Sequence, residues 1–168
     1  MRVTENKKLV FSLQGHVAEG KKTGTLMFGR HGDINPANIL WFGNPERVTE
    51  DLHGTLQLAD FGQAELNSRM SRTKVIDVPN TLTYRPPESD MKPTVIRQSY
   101  DIWCLGCVFL EFVAWILEGN SALAKFALER SSPDATLNMQ RTDTFFEAWT
   151  DSEVPEPIFR VKPSVIKV

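Results

Sequence analysis

Apolar residues recur along the chain in short blocks separated by polar stretches marked with Gly and Pro, and these blocks set the expected elements. Residues 8–13 read as a strand, Ile39-Leu40-Trp41-Phe42 as a second strand-like run, and residues 55–59 alternate like a third, half-buried strand. Residues 43–54, polar and punctuated, are expected to be a turn or a longer hairpin connection. The longest apolar run, residues 102–117, contains only Gly106 and Glu111 as interruptions and falls short of the ~20 residues of a membrane span. Ser99 can cap this run and Asp101 lies where a carboxylate suits the helix dipole, so a helix from Tyr100 to about Leu117 is expected. Apolar on nearly every face, it should be a core helix in the middle of a domain, ended by Glu118-Gly119-Asn120. Beyond it, residues 121–130 read as a short amphipathic helix, 131–143 as a loop, 144–149 as a brief apolar patch and 151–157 as an extended acidic segment.

Composition narrows the class without choosing a function. With 168 residues, 41% hydrophobic and 24% charged, the chain has the make-up of one ordinary soluble globular domain. A net charge of −2, with no basic stripe, argues against a nucleic-acid partner. The few apolar residues near the N-terminus are too short for a signal-peptide core, so an intracellular protein with no membrane partner is expected. Cys104-Leu105-Gly106-Cys107 has no second Cys/His pair at finger spacing, which favours two small buried residues on a helix over a metal or redox pair.

Candidate chemistry gathers in Arg30-His31-Gly32-Asp33-Ile34-Asn35-Pro36-Ala37-Asn38. Gly32 permits a tight bend and Pro36 pushes Asn35 away from helical angles, so the stretch is a loop that presents polar groups. Asp33 can accept a proton from a hydroxyl, and Asn38 can offer its amide oxygen to a hard cation; an ordinary polar turn would read the same way locally. The strand at 55–59 delivers Asp60-Phe61-Gly62, a second carboxylate that a hairpin should bring near Asn38, making a plausible Mg²⁺ site. A remote alternative is Gly15-His16-Val17-Ala18-Glu19-Gly20-Lys21-Lys22-Thr23, a near miss to the phosphate-cradling loop. Its lysine takes the place of the Mg²⁺-binding hydroxyl, and Thr23 comes one residue late.

At this point the sequence resembles a family. His31-Gly32-Asp33-Ile34-Asn35-Pro36-Ala37-Asn38 followed by Asp60-Phe61-Gly62 is similar to the catalytic loop and metal-binding motif of protein kinases. Thr81-Leu82-Thr83-Tyr84-Arg85-Pro86-Pro87-Glu88 resembles the end of that family's activation segment, with Pro86 where alanine is usual. Ser99-Tyr100-Asp101-Ile102-Trp103-Cys104-Leu105-Gly106 resembles the start of the central helix of the large lobe. The His-Gly-Asp form and the run after it resemble divergent kinase-like domains of filamentous fungi.

The resemblance implies an α+β, mainly α fold: a protein kinase-like large lobe truncated at both ends, over residues 29–168, preceded by residues 1–28 without a recognisable small lobe. It implies Asp33 as proton acceptor, Asn38 and Asp60 as holders of Mg²⁺ on ATP, and Leu40 under the adenine. It implies structural roles for His31, Phe61, Gly62, Thr81, Glu88 and Asp101, with Asp101 hydrogen-bonding the backbone around His31. Thr81 points to the serine/threonine branch and hence to a protein substrate or partner. Asn35 stands where that branch has a lysine touching the γ-phosphate, and an uncharged amide lacks that lysine's electrostatic stabilisation. Gly32 replaces an arginine that would bind an activation-loop phosphate, so switching through that pairing is not expected. The partner of a buried Glu88 would lie beyond the chain, which implies a marginal core. Two functions follow: a protein serine/threonine kinase whose isolated chain is weak or inactive, or a non-catalytic kinase-derived pseudoenzyme or interaction fragment.

Overall fold

A computed structural model describes residues 27–43, 54–68, 73–74, 82–91, 94–97, 99–151 and 154–167. The strand expected at 8–13, the glycine-rich stretch at 15–23, most of the 43–54 connection and Thr81 lie outside these residues. The first described strand, β1 (Met27–Arg30), runs across the boundary drawn at residue 28 and pairs antiparallel with β4 (Glu65–Ser68). Between them, β2 (Ile39–Gly43) and β3 (Gly54–Leu58) form the expected hairpin ladder, with Ile39 opposite Leu58 and Gly43 opposite Gly54. Further along, β5 (Thr73–Lys74) pairs with β6 (Val95–Ile96).

The long apolar run becomes α1 (Ser99–Glu118), a helix of 20 residues rather than one short of a membrane span. By length and composition alone it could cross a membrane. It is less enclosed than its apolar pattern implies. Tyr100, Cys104, Cys107, Val108 and Ala114 are buried, whereas Ile102 is 67% and Leu117 74% exposed, and Val113, Trp115 and Ile116 are exposed too. One stripe packs within the chain, and among the described residues nothing covers the rest. Gly119, at φ +81, turns the backbone into α2 (Asn120–Arg130), which packs against α1.

The emphasis on helix and the loop expected at 131–143 are corrected here. Two antiparallel strand pairs follow α2, β7 (Ser132–Asp134) with β8 (Gln140–Thr142), and β9 (Phe146–Asp151) with β10 (Val154–Val161). The first pair turns through Asn138 and Met139, both at positive φ, after Asp134 accepts the Thr136 N–H at 3.0 Å. The second absorbs Pro155 and Pro157 by a register shift between Val154 and Ile158, the device that lets prolines sit beside a ladder they cannot join. A one-turn helix, α3 (Pro163–Ile166), follows.

Two buried clusters organise these pieces. Ile34, Ile96, Tyr100, Cys104 and Val108 form one; Cys107, Ala114, Ala122, Phe126 and Phe145 form the other. Tyr84 packs against both. Thus α1 carries the loop around Asp33 on one side of its buried stripe and α2 on the other.

Candidate catalytic site

The loop at 30–38 is fastened first to α1. Asp101, in the helix's first turn, accepts the His31 N–H at 2.7 Å on one oxygen and the Gly32 N–H at 2.9 Å on the other. Both donors would otherwise be backbone groups without partners in a bend, and a carboxylate is a strong acceptor for them. Gly32 holds φ +84 with the Gln63 carbonyl 2.8 Å from where a Cβ would stand, so the bend needs glycine.

His31 fastens the loop to the second hairpin strand. Its Nε2 lies 3.0 Å from the Ala59 carbonyl, which can only accept, so the proton sits on Nε2. Nδ1 is then free to accept the Asp33 N–H at 3.3 Å. Phe61 closes on the His31 ring edge-on, with centroids 4.8 Å apart. The Ala59 N–H donates to the Asn38 carbonyl at 2.8 Å, which puts the end of β3 beside the start of β2 and Asp60 one residue from that junction.

Within the loop, Asp33 is held by two amides. Asn35 Nδ2 donates to its Oδ1 at 2.9 Å, and Asn38 Nδ2 donates to its Oδ2 at 3.0 Å and to its main-chain carbonyl at 2.9 Å. Asn35 is 6% exposed and spends its other end on the Ala37 N–H at 2.9 Å. It therefore acts inside the loop, and neither of its polar ends is left to meet a phosphate. Asn38 differs: its Nδ2 is used on Asp33, while Oδ1 has no donor among the described residues.

Asp60 adopts φ +61, in the left-handed region that Asp tolerates better than most residues, and is exposed. Its Oδ1 takes the Gly62 N–H at 3.2 Å, and Oδ2 has no donor among the described residues. Two uncommitted hard oxygens, one amide and one carboxylate, are the donor types Mg²⁺ prefers. Leu40, on β2, is exposed, with nothing over it among the described residues. Glu88 lies in the middle of a short 3-10 turn, Pro87–Ser89, and is only half-buried, so the penalty of an enclosed, unpaired carboxylate does not arise.

A second ring of charge was not anticipated. Arg85, 3% exposed, forks onto Asp90 at 3.0 and 2.9 Å and reaches Asp134 at 2.7 Å. Burial alone would discharge Arg85 and Asp134, but hydrogen bonds win: those to Asp90 first and Asp134 next raise Arg85 above its usual range, and those from Thr136 first and Arg85 next hold Asp134 below the usual carboxylate range. Glu111 on α1 takes the Tyr84 hydroxyl at 2.7 Å and the Arg130 guanidinium at 2.8 Å, and Arg130 lies between the rings of Phe126 and Phe145. Cys104 and Cys107 sit on the buried stripe of α1, and burial pushes both thiols up, which leaves them protonated and unreactive.

Comparison with known proteins agrees with this arrangement. A family model described as "Protein kinase domain" matches residues 27–149. The chain is similar to cyclin-dependent kinase 15 of Mus musculus, 38% identical over 81 residues, which cover 48% of this chain and 16% of the relative. It is also similar to a protein of Encephalitozoon cuniculi named "Probable cell division protein kinase", 40% identical over 89 residues, 49% of this chain and 28% of that protein. Cyclin-dependent kinase 15 of Danio rerio is 37% identical over 92 residues, 55% of this chain and 19% of the relative. The chain thus spans less than a third of the length of these relatives. A match over most of the chain, laid on a loop whose acid, amides and helix anchor stand as described, places this protein in the protein kinase domain family.

Proposed function

We propose that the chain carries the phosphotransfer centre of a serine/threonine-type protein kinase, acting with ATP and Mg²⁺ on a hydroxyl of a protein substrate. The observation that supports this most is the bracketed carboxylate: Asp33 held on both oxygens by the amides of Asn35 and Asn38. A carboxylate fixed in this way is oriented to accept a proton from an incoming hydroxyl without searching for its rotamer. Asn38 Oδ1 and Asp60 Oδ2 would hold the cation. Bound there, Mg²⁺ would neutralise charge building on the transferring phosphoryl oxygens. The residues of this chain do the rest. Asp101 keeps the loop on α1, His31 and Phe61 keep it on the strand that delivers Asp60, and Asn35 keeps Asp33 still. The proposed branch rests on the resemblance at Thr81 and on the cyclin-dependent kinase names of the relatives; protein substrates and cyclin-type partners are proposals on the same footing.

The test is thermal denaturation with Mg²⁺ and ATP titrated together. Binding to the folded state alone at 100 times the dissociation constant stabilises by about 2.7 kcal/mol. A shift that Asp60→Asn abolishes supports the proposal; no shift at millimolar ATP contradicts it.

One observation favours a second reading, a non-catalytic interaction fragment. Asn35 consumes both of its polar ends inside the loop and leaves no cation for the γ-phosphate. Nucleotide binding without transfer of labelled phosphate to any acceptor would select that reading.

A further inference from the structure

Ile34, the neighbour of Asp33, belongs to the buried cluster on which Tyr84 packs, so residues 82–90 border the catalytic loop. Three consecutive side chains of this segment are tied down from elsewhere. Thr83 Oγ1 donates to Asp143 Oδ1 at 2.6 Å, Tyr84 donates to Glu111 at 2.7 Å, and Arg85 meets Asp134 at 2.7 Å. Asp134 and Asp143 stand at the two ends of one element, the first on β7 and the second directly after β8.

Asp134 is prepared for this contact. Its Oδ1 accepts the Thr136 N–H at 3.0 Å and the Thr136 hydroxyl at 2.6 Å, and its Oδ2 accepts the Thr142 hydroxyl at 3.2 Å. Arg85 is engaged through all three of its nitrogens in turn. Nη1 donates to the Leu82 carbonyl at 3.0 Å, Nε and Nη2 go to Asp90 and Asp134, and the guanidinium lies over the Phe146 ring at 5.3 Å. A guanidinium spent in this way offers nothing to a phosphate or to an acidic substrate.

We propose that the β7–β8 hairpin is a clamp that shapes residues 82–90 for the acceptor protein, with Asp134 and Asp143 as its positioning residues. The proposal rests on the kinase reading for the acceptor and stands on its own for the clamp. In it, carboxylates built into the chain order the segment, so its order needs no added phosphate.

The test uses the full chain with Thr83→Val, which deletes the hydroxyl at constant shape, and Asp134→Asn. Thr83→Val is the arm that survives if Asp134→Asn fails to fold, because Asp143 keeps access to solvent. Amide hydrogen exchange in residues 82–90 should rise about tenfold in Thr83→Val while α1 and the β2–β3 hairpin stay protected. Thr83→Ser, which keeps the hydroxyl, should restore the protection. Unchanged exchange in 82–90 would overturn the clamp, as would a uniform rise through every described element. With radiolabelled ATP and myelin basic protein as acceptor, the KM for the acceptor should rise several-fold and the KM for ATP should hold. A fall in kcat with both KM values unmoved would count against positioning. Absence of any transfer by the unaltered chain would refute the kinase reading, while the exchange result would still decide the clamp.

Discussion

Gly32 shows how far one position constrains the loop. At φ +84, with the Gln63 carbonyl 2.8 Å from a would-be Cβ, Gly32→Ala is expected to cost about 1–3 kcal/mol, measured by urea denaturation. Gly32→Arg, which restores the family's usual residue, should cost at least as much, because the backbone path and not only the charge has diverged. Asp33→Asn should lower phosphotransfer by roughly 10²–10⁴ and also lower the denaturation midpoint, since an amide keeps the shape but loses the base and sets its NH2 against the N–H of Asn35 or Asn38. Asp33, Asn38, Asp60 and Asp101 were legible in the sequence because three of them lie in one hairpin unit and the fourth opens a helix. The ring of Arg85, Asp90 and Asp134 was not: Asp134 lies 49 residues from Arg85 and nothing local marks it as a partner. Asn35 was legible as a departure, but its work as a fastener of Asp33 appears only once both amide ends are traced.

At the scale of elements, α1 sets the response to alkali. Burial, first of all, pushes the acid groups of Tyr84, Tyr100, Cys104 and Cys107 up, the last three of them on α1 and Tyr84 against it through Glu111. A group whose folded value is raised adds stability that is full below its unfolded value and is lost as pH climbs past it. For thiols and phenols that window opens at about pH 8.5 and runs beyond 10. Lys162 acts the other way. Burial lowers its ammonium to about 8 while it donates to the Arg130 carbonyl, so its contribution improves as pH rises from there. Below about pH 10 two thiols act against one amine and the phenols add their loss only from there upward, so urea midpoints should fall most steeply above about pH 10. Replacing Cys104 and Cys107 together by Ala should flatten the first part of that fall; an unchanged slope would contradict the assignment. The ends of α1 were legible from Ser99 and from Glu118-Gly119-Asn120. Its degree of enclosure was not, since an all-round apolar pattern states what a helix tolerates, not what is present to cover it. The β9–β10 pair was masked by Pro155 and Pro157, which argue against a strand unless a register shift accommodates them.

Across the molecule, the described residues form five separate two-stranded ribbons with no common sheet among them, so their cohesion passes through side chains. Among the described residues Tyr84 is the one packed on both buried clusters, and its hydroxyl ends on Glu111. Tyr84→Phe keeps the ring and removes that hydrogen bond, and about 1–3 kcal/mol should be lost. The denaturation transition should stay single, because the ring still couples the clusters; a split transition would show that the hydroxyl does the coupling. Asp60 adds a different kind of consequence. At φ +61 it occupies a backbone region in which glycine is relaxed and an aspartate is not. Asp60→Gly should therefore raise the melting temperature slightly while removing one of the two uncommitted oxygens of the proposed cation site. Any programme of stabilisation guided by backbone comfort would choose that substitution early, and its success in the thermal assay would be the sign that the chemistry had been traded away.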